Sequence, residues 1–537
     1  MQRKRLGVVV DGTFNEGLTV RLDSGVSTED LRIGDFAIVE GEENRYFSMI
    51  ADMQLRTTDQ SIAADPPRDI SPFVAQALAG TSIYGVVQVD LRLMMKKPDP
   101  LTVPRGTEEE QVQPVRTIPM HFAELCQADA MDFATVFGKE GGLNFWVGTP
   151  LTMDTHICLQ LDRLVERSSG IFGQTGTGKS FLARIVLSGI IRSDAAVNLI
   201  FDMHNEYAFD KQSEDGVWVR GLRQIFGSQV MVYSLDEKAA ARQNVDVTLQ
   251  IGLNQIEAED VLLLAEELNL RGTAEATIGL LRDLHGSRWL AQLIEMSPDD
   301  LSSFCEISGA HPASVAALQR QLRIIGRRSY IVPQADFSVI DDMVAALDRG
   351  RHIILQFGRH NRILDYALVA NLVTRRVRQL YREKVERYEQ SQEPSDRPRP
   401  LMITIEEAHK FLNPAVARQT IFGQIAREMR KYHVTLMVID QRPSGIDGEV
   451  ISQLGTRITG RLTEARDIDA VLTGVSGRRA LRSALESLDT REQVLLMGHA
   501  VPMPIVIQTR KYDEDFYRAV GAEKRSVAQD TIDLFGE

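Results

Sequence analysis

Short apolar or alternating runs fill the first 140 residues and predict β-strands. They occupy residues 5–10, 18–22, 36–39, 47–55 and 84–94, and turn residues such as Asp11 and Gly12 separate them. This spacing favours a small barrel or sandwich over 1–140, with a helix over 121–137 near its end. We find no candidate chemistry here and expect an assembly or docking module.

From residue 141 the pattern becomes one of apolar strands alternating with amphipathic helices. This alternation predicts an α/β core with a mostly parallel sheet over 141–240 and 341–510. The strands expected after the first are 198–202, 352–357, 401–405, 435–441, 457–462, 493–497 and 504–508. A long helix is expected over 365–385, with an exposed loop over 388–400.

Residues 241–340 interrupt this alternation with helical patterns and no clear strand. Helices are expected over 256–270, 274–285, 288–294 and 312–325, which indicates a helical insertion in the α/β core. Four arginines give the insertion a basic edge: Arg320, Arg323, Arg327 and Arg328. Such a row suits a nucleic-acid channel, but a solvated helix face is the commoner explanation and is favoured. The tail, 511–537, is expected to brace a neighbouring subunit.

Length and composition narrow the class of protein. The 537 residues exceed one hydrophobic core, so several domains are expected. The net charge of −13 argues against a surface coated in basic residues, although a local basic channel is compatible with it. Three scattered cysteines predict no disulfide framework or zinc site. We expect a cytoplasmic protein without a membrane span, because no apolar run approaches 18 residues.

The strongest chemical signal is the stretch 173–180, Gly-Gln-Thr-Gly-Thr-Gly-Lys-Ser. It matches the phosphate-binding loop, in which glycines let backbone N–H groups curl around a polyphosphate. An apolar strand at 169–172 precedes it and a helical pattern follows, as this motif requires. Lys179 is expected to contact the β- and γ-phosphates, and the Ser180 hydroxyl suits Mg²⁺.

Acidic residues follow two of the predicted strands. Glu406 and Glu407 end the strand over 401–405, where Glu406 is placed to hold Mg²⁺ through water and Glu407 to polarise the attacking water. The alternative is an acidic helix start, since carboxylates favour helix N-termini. Asp202 ends an earlier strand, and either Asp202 or Glu206 could act on Mg²⁺ or water. A strand-end cap is the alternative for Asp202.

Three further polar residues complete the candidate site. Gln441 ends the strand over 435–441, where its amide could touch the γ-phosphate or the water. Arg427 and Arg430 lie three apart on one predicted helix, so we expect them to share a face and to offer an arginine for the γ-phosphate of an adjacent subunit. A surface helix with paired charges is the alternative.

Five segments in this order resemble the HerA family of the HerA/FtsK ATPases. They are the phosphate loop, the segment 202–207, the segment 405–409 around Glu406, the segment 425–431 around Arg427 and the segment 440–443 around Gln441. The resemblance covers nearly the whole chain, although Met203-His204-Asn205 stand where Pro-His-Gly is common in the family. Met429 likewise stands where Gly is common.

The resemblance implies a RecA-like P-loop ATPase core, a helical insertion, an N-terminal barrel and a homohexameric ring. It implies ATP and Mg²⁺ as cofactors, and translocation of double-stranded DNA through a central pore with a partner nuclease of the NurA type in DNA repair. Glu407, Glu406, Gln441 and Arg430, or less surely Arg427, take the catalytic roles. The nucleotide contacts are Gly173, Thr175, Gly176, Thr177, Gly178, Lys179, Ser180, Phe181 and Asp202, and the metal contacts are Ser180 and Glu406.

Three alternatives remain open at this point. A HerA-like ATPase could serve an anti-phage defence effector instead of a repair nuclease. A secretion or conjugation ATPase shares the core but works at a membrane, and no recruitment signal is evident. A scaffold that uses nucleotide only to hold a ring together is disfavoured by the intact Lys179, Glu406 and Glu407.

Overall fold

The computed structural model describes residues 3–58, 82–97, 112–212, 216–241, 245–335, 338–360, 362–414, 417, 421–475, 478–489 and 492–521. Strands in chain order are β1 (Arg5–Thr13), β2 (Gly17–Leu22), β3 (Phe36–Glu40), β4 (Asn44–Thr57), β5 (Ile83–Lys96), β6 (Val112–Pro114), β7 (Glu124–Gln127), β8 (Asn144–Pro150), β9 (Ile157–Gln160), β10 (Ser169–Phe172), β11 (Val197–Asp202), β12 (Lys211–Gln212), β13 (Trp218–Val219), β14 (Val230–Ser234), β15 (Val247–Thr248), β16 (Ile251–Gly252), β17 (Ile331–Val332), β18 (His352–Gln356), β19 (Leu401–Glu406), β20 (Val434–Asp440), β21 (Thr456–Thr459), β22 (Gln493–Gly498) and β23 (Ile505–Thr509).

The α-helices of the described residues are α1 (Ala130–Phe137), α2 (Leu161–Glu166), α3 (Lys179–Ser193), α4 (Leu222–Phe226), α5 (Glu237–Ala240), α6 (Ala258–Leu262), α7 (Ala274–His285), α8 (Trp289–Glu295), α9 (Pro298–Ser308), α10 (Pro312–Gly326), α11 (Val339–Asp348), α12 (Ile363–Ser391), α13 (His409–Leu412), α14 (Ile421–Glu428), α15 (Gly448–Gln453), α16 (Ala465–Val471), α17 (Arg478–Ser487) and α18 (Glu514–Ala519).

The chain forms two compact units. The first contains residues 1–159 and 501–508, and the second contains residues 160–500 and those from 509 onward. Residues 141–159 therefore cluster with the N-terminal region in the structure. The sequence-based division at 140, 240, 340 and 510 stays a prediction.

The first unit contains the predicted barrel. Antiparallel strands follow the order β2-β1-β7-β3-β4-β5, and a β2–β5 pairing closes the circle. Closure removes the unpaired sheet edges that would otherwise be open to aggregation. Alternating residues such as Val20, Val87 and Leu125 are fully buried inside. The barrel over the N-terminal region is thus confirmed, and β6 adds to β5 outside the circle.

The predicted helix over 121–137 is wrong in its first half. Residues Glu124–Gln127 form β7, which pairs with β1 and β3 and completes the barrel. The helix begins only at Ala130, where Asp129 caps it by accepting from the N–H groups of Met131 and Asp132. A four-residue strand is too short to establish an alternating pattern of its own, so the adjacent helical pattern masked it.

The second unit contains a sheet in the order β15-β14-β18-β11-β19-β20-β10-β21-β22. The pairs from β15 to β21 are parallel, and β22 runs antiparallel to β21. β10, β19 and β20 are buried along their whole length, which explains their continuous apolar runs. Because β20 lies between β10 and β19, the phosphate loop and the acidic strand end flank the residues that follow β20.

The region predicted as a helical insertion contains α6 to α10, but also short strands. β15 pairs with β14 at the edge of the sheet, and β16 pairs with β17. The expectation of no strand there is wrong, because two-residue pairings leave no periodicity to detect. The helix expected over 256–270 is short, since α6 ends at Leu262. α12 continues to Ser391, so the loop predicted from 388 begins later.

The basic edge of the insertion is not a uniform row in the structure. The Arg328 guanidinium lies 3.0 Å from the buried carboxylate of Asp365, and Arg323 donates to the Ile294 carbonyl at 3.4 Å. Arg320 and Arg327 are exposed. Whether any of the four contacts nucleic acid stays a prediction. Among the described residues, no helix combines the length and apolarity that crossing a membrane needs.

Candidate active site

The phosphate loop lies between the buried strand β10 and helix α3, which begins at Lys179. Gly176 and Gly178 both have φ near +82°, a backbone conformation that residues with a Cβ rarely adopt. The Thr177 hydroxyl donates to the Gln174 carbonyl at 2.7 Å, and Lys179 Nζ donates to the same oxygen at 2.6 Å. The loop is therefore curled around its own lysine.

The electrostatic surroundings of Lys179 are acidic. Burial lowers the pKa of its ammonium, while Glu407, Asp440 and Glu406 act in the opposite direction. These carboxylates come from the ends of the two neighbouring strands β19 and β20. An ammonium held among carboxylates at the start of a helix is suited to a polyanion that arrives with its own cation.

Glu406 is the last residue of β19 and is only 6 % exposed. The Tyr207 hydroxyl donates to its Oε1 at 2.7 Å, while its Oε2 is buried without a hydrogen-bond partner among the described residues. Burial, with a smaller contribution from Asp202, raises the pKa of Glu406 to about 8. A buried carboxylate with an unused oxygen is a suitable group to face a divalent cation.

Glu407 has a different environment from Glu406, although the two are adjacent. Its backbone has φ of +48°, which turns the chain sharply between β19 and α13. One carboxylate oxygen, Oε1, accepts from Gln441 Nε2 at 3.2 Å. The side chain is about one-fifth exposed, so water can reach it. The two neighbouring acids are thus suited to different roles.

Gln441 joins the phosphate loop to this acidic strand end. Its Oε1 accepts from the Thr175 hydroxyl at 2.7 Å, while its Nε2 contacts Glu407. One side chain therefore connects three segments: the loop, the end of β20 and the end of β19. A change at the phosphate-binding loop would reach Glu407 through this amide.

Asp202 shapes its own segment. Its two carboxylate oxygens accept from the backbone N–H groups of Glu206 at 2.7 Å and Tyr207 at 3.0 Å, and the side chain is fully buried. This is the strand-end cap that the sequence left as the alternative. The cap brings Tyr207 to Glu406.

Glu206, the other acid of this segment, lies beside the loop. Burial raises the pKa of Glu206, but hydrogen bonds from Lys211 and from the Ser180 hydroxyl help to bring it below its usual value. Glu206 therefore stays ionised next to Ser180. Of the two acids offered by the sequence, the structure places Glu206 closer to the expected metal-binding hydroxyl.

Phe181 is the first aromatic residue after the loop, and 37 % of its surface is exposed. Its ring centroid lies 6.2 Å from that of Tyr512, and the Arg184 guanidinium lies over both rings. Tyr512 anchors the start of the C-terminal segment by donating to the Arg220 carbonyl at 3.0 Å. The described part of the tail thus packs on its own subunit, while residues 522–537 of the predicted brace lie outside the described residues.

The two candidate arginines lie on consecutive elements and pair with different acids. α14 ends at Glu428, and Met429–Tyr432 continue as a 3-10 helix. Arg427 lies 3.9 Å from Glu449, whereas Arg430 forms an ion pair with Glu166. Glu166 also lies 3.0 Å from His499 Nε2. The α-helix thus ends between the two arginines, which a spacing of three residues did not anticipate.

Arg430 lies at the end of the sheet where the parallel strands begin, whereas the phosphate loop lies at the end where they finish. It precedes β20 just as its partner Glu166 precedes β10, and these strands are parallel. β20 is 7 residues long, so it spans about 23 Å. Arg430 is therefore too far from the phosphate loop of its own subunit to contact a nucleotide there.

The sequence analysis assigned no role to two residues beside Glu407. The fully buried Asp440 accepts from the backbone N–H of His409 at 2.7 Å and lies 2.9 Å from His409 Nδ1. His409 Nε2 in turn faces Glu407 Oε2 at 3.7 Å. The available signal was a carboxylate at the very end of an apolar strand, next to the one that carries Glu406.

A glycine loop between a buried strand and a helix, with acidic residues ending a nearby parallel strand, defines a P-loop ATPase. The sequence model described as "Helicase HerA, central domain" matches residues 145–377. Over this central region the chain is similar to the HerA family. It is 24 % identical to the "DNA double-strand break repair helicase HerA" of Pyrococcus furiosus over 71 % of each chain. It is 22 % identical to the protein of that name from Sulfolobus acidocaldarius over 94 % of this chain and 93 % of the relative.

Two solved structures align with about 70 % of this chain. The bacterial conjugative coupling protein TrwBdeltaN70 aligns with a TM-score of 0.47 at 13 % identity, covering 72 % of this chain and 92 % of its own. VirB4 of Thermoanaerobacter pseudethanolicus aligns with a TM-score of 0.45 at 13 % identity, covering 70 % of this chain and 99 % of the VirB4 chain.

Proposed function

We propose that the chain is an ATP-driven translocase of double-stranded DNA that works as a homohexamer. In this proposal DNA passes through the central pore of the ring, and a partner nuclease of the NurA type processes the DNA end for recombinational repair. The observation that carries the catalytic part is the connected set of Thr175, Gln441 and Glu407 beside Lys179. The relatives named as repair helicases favour repair over defence or secretion.

ATP and Mg²⁺ fit the residues present. Lys179 and the loop amides would bind the β- and γ-phosphates, and the partly exposed ring of Phe181 would contact the adenine base. Ser180 and Glu406 would hold Mg²⁺, which neutralises charge on the phosphates. The unused oxygen of Glu406 and its raised pKa support this assignment, because a cation would offset the cost of burying a carboxylate. Few protein ligands are expected for a metal that keeps its water.

Glu407 is the residue that would orient and deprotonate the attacking water. It is accessible, it faces the loop, and its orientation depends on Gln441. Gln441 would report the state of the γ-phosphate to Glu407, since it contacts both the loop and the acid. These roles require no residue outside the second unit except an arginine to meet charge on the γ-phosphate.

That arginine would come from the neighbouring subunit. The position of Arg430 at the far edge of the sheet supports this, because it is out of reach of its own site and more than half exposed. Arg427 is the second candidate, but it is largely buried beside Glu449. If this arginine is present only when a second copy of the chain is bound, hydrolysis depends on assembly of the ring.

The Glu407→Gln variant tests the assignment of the base. We expect it to bind ATP with unchanged affinity and to lose turnover by at least about 100-fold, because a general base contributes that much or more. The measurements are equilibrium binding of a fluorescent ATP analogue and steady-state phosphate release. Glu386→Gln, an exposed position on α12, is the matched control. Wild-type turnover in Glu407→Gln would show that the base has been misassigned.

Duplex DNA tests the translocase part of the proposal. We expect linear double-stranded DNA to raise the rate of ATP hydrolysis several-fold, and to do so less at high salt, because phosphate contacts are screened. Unstimulated hydrolysis by a chain that forms rings would instead favour a secretion or scaffold role. Mass spectrometry of the native complex would identify the partner, and recovery of a non-nuclease effector would point to the defence alternative.

A further inference from the structure

We propose that His409, held by Asp440, is a positioning residue that orients the Glu407 carboxylate toward the water that attacks the γ-phosphate. The inference rests on the proposed function, because it gives His409 a role only through the base assigned there. Its evidence is separate: it comes from the contacts of a buried carboxylate at the end of β20 and of the imidazole that this carboxylate holds.

Asp440 is a fully buried acceptor whose partners all lie in this corner of the site. One oxygen, Oδ2, accepts from the His409 backbone N–H at 2.7 Å and contacts His409 Nδ1 at 2.9 Å. The other, Oδ1, accepts from the Arg442 backbone N–H at 2.7 Å. The carboxylate thus fixes both the backbone and the ring of His409. An apolar side chain would satisfy none of these groups.

The contact with Asp440 determines which ring nitrogen of His409 carries a proton. An ionised carboxylate only accepts hydrogen bonds, so Nδ1 is the protonated nitrogen. Nε2 then points toward Glu407 Oε2 at 3.7 Å. The hydrogen bond to Asp440 also raises the pKa of His409, with further support from the charge of Glu407. In its protonated form the ring directs Nε2–H at the Glu407 carboxylate.

The ring has little freedom to leave this position. The turn that follows β20 approaches it closely, and a Cβ added at Gly445 would lie 3.3 Å from His409 Cβ. On the other side, Gln441 Nε2 contacts the second oxygen of Glu407 at 3.2 Å. Glu407 is thus bracketed by one neighbour on each oxygen. Two fixed partners hold a flexible glutamate in one orientation at the loop.

Bracketing also explains why the left-handed turn at Glu407 is useful. The turn separates Glu407 from Glu406, so the two acids face different partners. Glu407 faces Gln441 and His409, whereas Glu406 faces Tyr207. Without His409, the accessible carboxylate would be free to rotate into solvent. Misplacing a reacting group by about 1 Å can cost roughly 100-fold in rate.

The His409→Asn variant tests the role directly. Asparagine can still donate to Asp440, but it removes the group that faces Glu407. We expect turnover under ATP saturation to fall by about 10- to 100-fold, with ATP affinity and ring assembly unchanged. His409→Gln, whose amide can reach the position of Nε2, should retain more turnover than His409→Asn. Lys410→Gln, the next position on the same helix, is the matched control.

The double variant His409→Asn, Glu407→Gln decides whether His409 acts through Glu407. Residues that act as a unit are non-additive, so we expect no loss beyond that of Glu407→Gln alone in a single-turnover assay with labelled ATP. A further loss equal to that of the single His409→Asn variant would overturn the inference, because His409 would then act independently.

The failures of the two proposals are distinguishable. Full turnover in His409→Asn, together with an inactive Glu407→Gln, would overturn the positioning role and leave the base in place. Full turnover in Glu407→Gln would overturn the proposed base, and with it any role for His409 through that base. Thermal unfolding of each variant separates a loss of rate from a loss of folded protein.

Discussion

Glu407 combines a reactive side chain with an unusual backbone. Its φ of +48° places it in the left-handed region, which costs a residue with a Cβ about 1–2 kcal/mol. The position tolerates this cost because Asp440 and the start of α13 fix the chain on the far side of the turn. Strain of this kind is common where a side chain must be aimed at a ligand.

A comparison of Glu407→Gly with Glu407→Ala tests this account of the backbone. At an ordinary position the glycine variant is the less stable by about 0.5–1 kcal/mol. Here we expect the order to reverse, because glycine adopts the left-handed region without strain. Urea unfolding of both variants measures the difference in the free energy of unfolding. An alanine variant that is the more stable of the two would show that the turn stores no strain.

The sequence predicted the position and role of some site residues more completely than those of others. The phosphate loop follows a local rule, so its position and its flanking elements were predicted from seven or eight consecutive residues. Asp202 and Glu206 lie four apart in one segment, and only the folded chain shows that the first caps the backbone while the second meets Ser180. Asp440 and His409 are 31 residues apart, so no local pattern joins them.

At the scale of elements, the length and direction of strands determine what can meet. Parallel strands bring their carboxyl ends to one edge, which explains why the residues after β10, β19 and β20 converge. The same rule places Arg430 and Glu166 at the other edge. The sequence predicted most of the longer strands and the longest helix, because their periodicity extends over many residues, but it did not predict β8, β14, α9 or α11. It missed β7 and β15 to β17, whose two to four residues depend on pairing with distant strands.

The start of β18 gives the ATPase unit a specific response to acid. His352 is buried, its Nδ1 accepts from the Asn198 backbone N–H at 3.2 Å, and burial lowers its pKa to about 4. Its unfolded pKa is near 6.5. The stability that comes from keeping it neutral is complete above pH 6.5 and is lost as the pH falls from 6.5 toward 4. The loss amounts to about 3 kcal/mol.

The His352→Asn variant should therefore depend less on pH than the wild type. Asparagine can accept the same hydrogen bond through its side-chain oxygen but does not titrate. We expect the drop in urea midpoint between pH 7 and pH 4.5 to be clearly smaller in this variant. His121→Asn, at an exposed histidine, is the control and should behave like the wild type. An unchanged drop in His352→Asn would show that His352 does not set the acid response.

At the scale of the whole molecule, the chain is a P-loop ATPase, and the proposed function draws one arginine of the site from a neighbouring subunit. In the proposed function, the residues around Lys179 supply phosphate contacts, a metal-binding carboxylate and a base, and Arg430 is out of their reach. Sequence reasoning could propose an arginine from a neighbour by resemblance. The position of Arg430, which pairs with Glu166 where the parallel strands begin, required the structure.

Mixing two inactive variants tests the shared site most directly. Lys179→Ala removes phosphate binding but keeps Arg430, whereas Arg430→Ala keeps the site but removes the arginine. If hydrolysis occurs between identical subunits, each variant alone should be inactive. In an equal mixture, roughly a quarter of the interfaces should combine an intact phosphate loop with an intact Arg430, and the mixture should regain that share of the wild-type ATPase activity. Full activity in Arg430→Ala alone, or a mixture no more active than its parts, would contradict a site shared between subunits.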